Sequence, residues 1–453
     1  MSDFIPPYPK RHKKSLSPLK ILRYARRDLL SIWTEDSFRR QFMGTKIFSR
    51  SVFIANCPQV VKHVFVTNHE NYERKSPQMR KALEPLLGDG LFISDGETWK
   101  KHRNLEAPLF ASEHVAKYSK IMIEVTEEYV QKWSKLKPGT TLNVLPEMGT
   151  LTAEIICRTL FGNQLGTQQA EEIIQSFAQY QAAIEQMDSG TFLGLPNWVP
   201  TMKRGKAKTA ATKIHKIVDN VIAEGIKADN QDTLLAHLLR LREGEAKDAL
   251  TMQEIRNELI VLFMAGHETT ANTLAWAWYL MSQAPEVEHR LHAEVDEVLA
   301  SGSAQFDDFA NLTYTRAIID ETLRLYPPVP ILSREVCSDD TIRGRDIPAG
   351  SIMLVVPWLL HRHELYWENP NHFIPERFLP NAEKKPDKFA YVPFSIGPRV
   401  CIAKFFGTVE ASLCLAILAK NFRLTLPQGT QVTHDCRLTL RPKDNLPMQI
   451  IPR

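Results

Sequence analysis

A long hydrophobic stretch in the middle of the chain, Thr251 to Ser282, constrains the fold more than any other feature. Its apolar residues recur at helical spacing over a length well above that of an average helix. The strongest apolar run, Leu259 to Gly266, is bounded by Glu258 on one side and by His267 on the other, so it is too short to cross a bilayer. The stretch therefore predicts one long helix with a polar interruption halfway along it.

The rest of the sequence predicts a helix-rich protein with small patches of strand. Hydrophobic residues make up 43% of the 453 residues, which is enough for a large buried core, and no linker interrupts the chain. We therefore expect a single domain over residues 1–453. Further helices are expected at 113–135, 169–186, 207–227, 285–299, 313–326 and 404–420, a loop at 190–200, and strands at 46–55, 352–356, 423–426 and 448–451.

Charge and cysteine content exclude several classes of protein. A net charge of +4 is too mild for a nucleic-acid-binding domain. The basic segment 1–30 has no apolar core of a signal peptide and predicts no membrane anchor. It is either a solvated segment or one weakly attracted to an anionic membrane surface. The six cysteines contain no C-x-x-C pair, so we expect neither a disulfide framework nor a zinc site, and we expect an intracellular, cytoplasmic location.

One of the six cysteines, Cys401, has a sequence context that favours a thiolate. An isolated cysteine in apolar sequence is usually a small core residue. Here Gly397 permits a tight turn, and Cys401 comes just before the predicted helix at 404–420, whose first N–H groups would point toward the sulfur. Arg399 supplies a positive charge close by, and Phe394 can shield the sulfur from water. These features favour a sulfur that acts as a ligand rather than a core residue.

The ten residues from Phe394 to Ala403 closely resemble the haem-binding loop of the cytochrome P450 family, F-x-x-G-x-R-x-C-x-G, in which Ala403 replaces the last glycine. The resemblance implies a mainly α fold with small β-sheets, shaped as a triangular prism, with a long central helix over the haem. It implies haem b as the cofactor and Cys401 as the axial ligand of its iron. Phe394 and Arg399 would also contact the cofactor.

The polar interruption of the long helix, Ala265 to Thr270, carries residues that a purely structural helix tends to avoid. Glycine costs about 1 kcal/mol relative to alanine inside a helix, and adjacent threonines are mildly unfavourable. We expect Gly266 to let a ligand approach the backbone, and the hydroxyl of Thr269 to bond a carbonyl one turn back or a bound oxygen. The segment is similar to the family's A-G-x-E-T-T motif. That similarity implies that Ala265 contacts the haem and that Thr269 and Glu268 serve oxygen activation and proton delivery.

Three further segments, in the order found in the family, support the resemblance. Glu321 and Arg324 form an E-x-x-R, and with Arg377 of P-E-R-F they would form the family's buried ion network. Trp99 and Arg103 form a W-x-x-x-R. By resemblance, the residues that hold the two haem propionates through charge-assisted hydrogen bonds are Trp99, Arg103, Arg334 and Arg399.

The resemblance implies a monooxygenase that inserts one atom of dioxygen into a hydrophobic small molecule. No flavin or nicotinamide motif is present, so electrons would come from a separate ferredoxin- or flavodoxin-type donor with its reductase. The basic residues expected to face that donor are Lys100, Lys101, Arg103, Arg399 and Lys404. The residues expected in the substrate pocket are Phe92, Val261, Met264, Val329 and Leu438. A peroxide-driven peroxygenase on the same fold and a haem-binding gas sensor are the alternatives.

Overall fold

Helices form most of the computed structural model, which describes residues 4–25, 28–47, 50–162, 167–183, 202–228, 233–242, 249–300, 302–436 and 438–453. The loop expected at 190–200 lies outside these residues. The helices are α1 (Pro18–Ala25), α2 (Pro58–Lys62), α3 (Pro77–Leu87), α4 (Gly96–Glu106), α5 (Ser112–Ser134), α6 (Val144–Phe161), α7 (Thr167–Ala183), α8 (Met202–Ala228), α9 (Leu234–Arg240), α10 (Met252–Ser282), α11 (Pro285–Val298), α12 (Asp308–Asn311), α13 (Thr313–Leu325), α14 (Pro357–Leu360) and α15 (Lys404–Asn421).

The strands are short and form small sheets. They are β1 (Phe42–Ile47), β2 (Arg50–Ala55), β3 (Thr141–Asn143), β4 (Leu332–Glu335), β5 (Asp340–Ile342), β6 (Arg345–Ile347), β7 (Ile352–Val355), β8 (Phe422–Thr425), β9 (His434–Cys436), β10 (Leu440–Pro442) and β11 (Pro447–Pro452). One sheet has the order β1-β2-β7-β4, with β2 and β7 parallel and its other pairs antiparallel. Another has the order β3-β11-β8, and two hairpins pair β9 with β10 and β5 with β6.

Helix α10 begins at a capping box. The hydroxyl of Thr251 accepts a hydrogen bond from the N–H of Glu254 at 3.2 Å, and the Glu254 carboxylate accepts one from the N–H of Thr251 at 2.7 Å. The side chains from Leu259 to Met281 are buried, except at a short stretch around Ala265. The helix packs most extensively on α6 and also contacts α3, α8, α13 and α15. It is therefore the central element of the core, as its sequence predicts.

Helix α15 is apolar on almost every side, and nearly all of its residues after Phe406 are buried. A helix of that composition is stable only inside a protein. It packs on α5, α11 and α13, so its first turn is held firmly in place. The segment that ends at Cys401 leads directly into this turn, and the position of the cysteine is therefore set by the core.

The predicted fold class, mainly α with small β-sheets, is confirmed, and the expected long helix extends from Met252 to Ser282. The strand expected at 46–55 is divided between β1 and β2, which pair antiparallel with Ile47 opposite Arg50. The two segments exchange backbone hydrogen bonds as a hairpin, a pairing that the run of β-prone residues alone does not indicate. No helix in the described part of the chain is long and apolar enough to cross a membrane.

Candidate functional site

Cys401 lies at the end of a tightly turned loop before α15. The N–H of Cys401 donates to the carbonyl of Phe394 at 2.9 Å, and the N–H of Val400 donates to the carbonyl of Gly397 at 3.0 Å. At Gly397 φ is +78°, and an added Cβ would lie 1.9 Å from the carbonyl oxygen of Phe65. Both the backbone conformation and this close approach therefore require glycine at position 397.

The sulfur of Cys401 has surroundings unlike those of a core cysteine. Burial raises the pKa of its thiol, while the N–H of Ala403 and the charges of Arg103 and Lys404 lower it. The Cys401 side chain is nevertheless accessible. Cys401 thus lies among protein groups but keeps an accessible side chain, which a ligand-binding thiolate needs. Cys414, by contrast, is buried, with its sulfur 3.2 Å from the hydroxyl of Thr126.

Three basic side chains, Lys75, Arg334 and Arg399, lie close together, and none forms a salt bridge with a carboxylate among the described residues, although the charges of Glu73 and Asp95 act on Arg399 from farther away. Burial, followed by the charge of Arg399, lowers the pKa of Arg334 to about 9. Burial, followed by the charges of both arginines, lowers the pKa of Lys75 well below its ordinary value. Buried cations without counter-ions are costly. The cluster is therefore suited to an anionic group such as a pair of haem propionates.

Individual contacts of these cations support the same interpretation. Arg334 lies on β4 beside β7, and among the described residues its guanidinium donates one hydrogen bond, to the carbonyl of Ser333 at 3.1 Å, and lies 5.1 Å from the centre of the Phe65 ring. Arg399 donates one hydrogen bond to the carbonyl of Ser94 at 2.7 Å. Its buried Nε has no partner in the described part of the chain. Donors are thus left over for an anion at a place where the protein supplies no acceptor.

Helix α4 brings Trp99 and Arg103 to the same region. The guanidinium carbon of Arg399 lies 4.4 Å from the centre of the Trp99 ring. Arg103 donates to the carbonyl of Val400 at 2.8 Å, and burial lowers its pKa. Trp99, Arg103, Arg334 and Arg399 are therefore gathered around the Cys401 loop as the sequence predicts.

Lys75 is a member of this cluster that the sequence did not identify. It follows Arg74 in a polar stretch, where a lysine is normally exposed. In the structure Lys75 forms an isolated β-bridge with Arg334, and its ammonium lies 4.5 Å from the centre of the Phe92 ring. No local signal could have revealed this position, because the bridge joins segments far apart in the sequence.

The polar interruption of α10 forms an open face on a buried helix. Ala265 is exposed, and Gly266, Glu268 and Thr269 are half-buried, although the helix on both sides is buried. The hydroxyl of Thr269 donates to the carbonyl of Ala265 at 2.7 Å, which is the expected bond one turn back. This face can therefore border a bound group, with the Thr269 hydroxyl already oriented along it.

The side of Gly266 that would carry a side chain faces α6. An added Cβ at Gly266 would lie 3.0 Å from Cδ1 and 3.1 Å from Cγ1 of Ile156 on α6. The glycine hydrogen thus faces the neighbouring helix, and a larger residue would require Ile156 to shift. The absence of a side chain therefore favours close packing of α10 on α6, and the approach of a ligand at this position stays a prediction.

The carboxylate of Glu268 is held by the C-terminal part of the chain. The hydroxyl of Thr439 donates to Glu268 Oε1 at 2.6 Å, and Asn272 donates to the Thr439 hydroxyl at 3.2 Å. The guanidinium of Arg441 lies 4.0 Å from the same carboxylate oxygen. The carboxylate of Glu268 is therefore held against the C-terminal segment by Thr439, a partner that no sequence motif identified.

The predicted ion network is present at the end of α13. Glu321 and Arg324 form a two-pronged pair, with contacts of 2.6 and 2.7 Å, and neither side chain is exposed. Arg377 Nε lies 3.5 Å from Glu321 Oε1. Arg324 also donates to the carbonyls of His361, Pro370 and His372. The network therefore fixes the segment 361–377 against α13, which is a structural role.

The five residues expected in the substrate pocket do not form one group. Met264 is buried and lines a small apolar gap between α6, α7, α8 and α10. Val261 packs under the loop before α4, since a Cβ on Gly90 would lie 2.8 Å from it. Phe92 is half-buried against Lys75. The half-buried Val329 follows Pro328, whose carbonyl accepts from the N–H of Leu440, so it lies close to the segment that contains Leu438.

Leu438 also lines a cavity of about 450 Å³ that the described structure contains between the N-terminal segment, the sheet of β1, β2, β7 and β4, and helix α3. Its lining is largely apolar and includes Trp33, Met79 and Ile331. Cys401 and Thr269 are not among the residues that line it. The cavity is therefore suited to be an approach for a hydrophobic molecule, and not the place of reaction.

The expected basic face is smaller than the sequence suggested. Lys101 is half-buried and donates to Glu254 at 2.9 Å, so its charge is paired. Arg103 and Arg399 point into the candidate site. Lys100 and Lys404 remain exposed, although Lys100 lies 2.8 Å from Glu97.

Comparison with known proteins agrees with this geometry. The cytochrome P450 family profile matches residues 31–448. Cyclooctatin synthase of Streptomyces melanosporofaciens is 32% identical over 410 residues, covering 89% of this chain and 86% of that protein. Cyclooctat-9-en-7-ol 5-monooxygenase of the same organism is 32% identical over 380 residues, covering 83% and 81%. Human cytochrome P450 4V2 is 29% identical over 412 residues, covering 84% and 77%.

A solved structure shows the same fold. The haem domain of cytochrome P450DA superposes with a TM-score of 0.82 at 24% sequence identity, covering 98% of this chain and 97% of that one. Together with the family match, these relatives identify an oxidoreductase that incorporates oxygen. The chain belongs to the cytochrome P450 family of haem-thiolate monooxygenases.

Proposed function

We propose that this chain binds haem b with Cys401 as the axial ligand and oxygenates a hydrophobic small molecule. The observation that carries the proposal is the accessible side chain of Cys401 beside Lys75, Arg334 and Arg399, three closely spaced cations, of which Arg334 is buried and the other two half-buried, and which form no salt bridge with a carboxylate among the described residues. This combination offers one thiolate for a metal and several donors for two carboxylates. The bound haem would supply the redox chemistry.

The remaining chemistry of the site belongs to Thr269 and Glu268. Glu268 is half-buried and accepts a short hydrogen bond from Thr439, with the half-buried Arg441 also near it, so protons could reach its carboxylate through this part of the chain. The Thr269 hydroxyl, bonded to the carbonyl of Ala265, still has lone pairs free to accept a proton donor at the open face of α10. We assign to Glu268 the uptake of protons and to Thr269 their presentation at the haem.

The substrate would be a largely apolar molecule. The cavity that Leu438 lines is a route suited to such a compound. The name of one relative states that it oxygenates cyclooctat-9-en-7-ol, a hydrocarbon alcohol. A terpenoid-like or fatty substrate therefore fits better than a charged one.

Three further assignments complete the proposal. Electrons would arrive from an acidic ferredoxin- or flavodoxin-type protein that docks near Lys100 and Lys404. The chain would act as a single domain. All six cysteines are free, which is consistent with a reducing compartment such as the cytoplasm.

The experiment is an incubation of the haem-loaded protein with reductant, a surrogate ferredoxin and its reductase, isotopically labelled dioxygen and a library of apolar compounds. The expected result is a product that carries one labelled oxygen atom, formed only when reductant is present. Product formed with peroxide alone would instead indicate a peroxygenase. Ligand binding without any product from the library would favour a sensor and contradict the proposal.

A further inference from the structure

A buried cluster of acids and a histidine, formed by His102, Glu106, Glu254 and Glu258, lies between α4 and α10 and has no part in the proposed function. His102, Glu106 and Glu258 are essentially inaccessible to solvent. One ligand-type atom from each of these three lies within 4.8 Å of the others. Charged groups are rarely buried so close together without a specific arrangement of protons or a bound ion.

The imidazole of His102 bridges two carboxylates on successive turns of α10. Its Nε2 lies 3.2 Å from Glu254 Oε1, and its Nδ1 lies 2.7 Å from Glu258 Oε1. Both ring nitrogens lie beside carboxylate oxygens, which favours the imidazolium form, although only Nε2 forms a well-aligned hydrogen bond among the described residues. Burial acts to lower the pKa of His102, but the hydrogen bonds and charges of Glu258 and Glu254 outweigh it, and the pKa is raised.

Glu106 differs from the other two carboxyls. Both of its oxygens are buried, and neither meets an N–H or O–H donor in the described part of the chain. Burial, followed by the charge of Glu258 and a hydrogen bond to it, raises the pKa of Glu106 well above its ordinary value, and Arg103 opposes this only in part. A buried carboxyl without a donor must supply its own proton, and the Glu258 carboxylate beside it can accept that proton in a hydrogen bond.

The distances favour a shared proton over a metal ion. Two atoms bound to one zinc ion at about 2.0–2.1 Å in tetrahedral geometry lie about 3.4 Å apart. The 2.7 Å between His102 Nδ1 and Glu258 Oε1 is shorter than this, so the two atoms form a close ion-pair contact with no room for a metal ion between them.

Glu258 also holds the loop that leads into α4. Its two oxygens accept the N–H of Leu91 at 2.8 and 3.1 Å. The loop contacts α10 so closely that a Cβ on Gly88 would lie 2.3 Å from Nδ2 of Asn257 and one on Gly90 would lie 3.3 Å from Glu258. Residues 90–94 are tied into one turn, because the N–H groups of Ile93 and Ser94 both donate to the carbonyl of Gly90.

This turn connects the cluster with the candidate site. The carbonyl of Ser94 holds the guanidinium of Arg399, and Phe92 lies against Lys75. We propose that Glu258 is a positioning residue that fastens the loop 88–95 onto α10. In this proposal Glu106 is neutral and donates a hydrogen bond to Glu258, which lowers the cost of burying the negative charge of Glu258. The loop in turn fixes two of the cations assigned to the haem propionates. The effect on the haem propionates rests on the proposed function, whereas the attachment of the loop to α10 by Glu258 does not.

The experiment uses the haem-loaded protein and two isosteric variants. Glu106→Gln retains a donor toward Glu258, so the urea midpoint should remain that of the wild type, while one carboxylic acid band disappears from the infrared difference spectrum at neutral pH. Glu258→Gln removes the charge that holds Leu91. Amide exchange at Leu91 should then accelerate at least about tenfold, because a hydrogen bond to a charged acceptor is lost. The bound haem should also dissociate faster, without loss of the thiolate-type spectrum while it is bound.

Wild-type exchange supplies an internal control that does not depend on the folding of any variant. The Leu91 amide should exchange much more slowly than that of Phe92, whose N–H has no hydrogen-bond partner in the described part of the chain. Equal exchange rates would overturn the proposal. So would an unchanged infrared band in Glu106→Gln, or a stoichiometric divalent metal other than haem iron that this variant loses. Because these readouts do not require turnover, a protein that lacks monooxygenase activity could still pass them.

Discussion

Replacement of Glu321 by alanine is the most severe test of the structural argument, because it removes the shared acceptor of a fully buried network. The carboxylate pairs with Arg324 at 2.6 and 2.7 Å and also accepts the N–H of Ile374 at 2.8 Å. Removal of one partner from a buried ion pair costs roughly 3–5 kcal/mol. The stranded N–H of Ile374 adds to this cost. Typical domains are stable by only about 5–15 kcal/mol, so most of the folding free energy is at stake.

The assay is the amount of haem bound per protein after expression, together with the urea unfolding midpoint of whatever folds. Glu321→Ala should yield little haem-loaded protein. The control is Glu97→Gln. Glu97 and Lys100 form an ion pair with the same three-residue spacing as Glu321 and Arg324, but this pair is exposed to solvent. Loss of the exposed pair should leave the urea midpoint unchanged. A Glu321→Ala variant with wild-type haem content and midpoint would refute the reasoning.

Three further variants probe electron transfer, proton delivery and acid stability. Lys100→Glu combined with Lys404→Glu should slow reduction by an acidic donor and flatten its dependence on salt in stopped-flow measurements, and an unchanged rate would remove these residues from the docking face. Thr439→Val should deprive Glu268 of its 2.6 Å donor and lower the product formed per reductant consumed, with unaltered substrate affinity; unchanged coupling would mean that the contact is only structural. His361 is fully buried, and burial followed by the charges of Arg324 and Arg362 lowers its pKa to about 3. In the unfolded chain the His361 imidazole binds a proton once the pH falls below about 6.5, whereas in the folded protein it stays neutral down to a pH of about 3. Between these two values the free energy of unfolding should therefore decrease by about 1.4 kcal/mol for each unit by which the pH is lowered. His361→Gln should show a shallower loss in urea titrations at pH 7 and 5, and identical slopes would contradict the assignment.

The sequence was most informative where function depends on neighbours along the chain. The Cys401 loop needs Gly397 for its turn and α15 for its N–H groups, and both lie within a few residues. The hydrogen bond from Thr269 to Ala265 follows from helix geometry alone. These features could therefore be predicted before any tertiary contact was known.

The sequence failed where a role depends on distant segments. Gly266 was expected to let a ligand approach, but the space that a side chain would take there is bounded by Ile156 on another helix. Lys101 was expected on a basic surface, yet Glu254 neutralises it. Lys75 is brought beside Arg334 by a backbone bridge between segments far apart in the sequence. Charge and hydropathy patterns describe residue types, and they do not describe which partner a fold brings beside each side chain.

The substrate pocket shows a similar limit. Met264 and Val261 lie on the long helix as expected, but helical spacing does not decide which neighbour each side chain meets. One borders a small gap among helices, and the other supports the loop that Glu258 fastens. Only Val329 and Leu438 lie on adjacent segments that border the apolar cavity and the C-terminal strands.

The most direct test of the central claim is the carbon monoxide difference spectrum of the reduced protein, with Cys401→Ala and Cys414→Ala measured beside the wild type. The wild type and Cys414→Ala should both show the red-shifted Soret band of a thiolate-ligated haem. Cys401→Ala should lose it, because Cys401 alone of these two cysteines has an accessible sulfur before α15. Retention of that band in Cys401→Ala, or its absence from the wild type, would contradict the account.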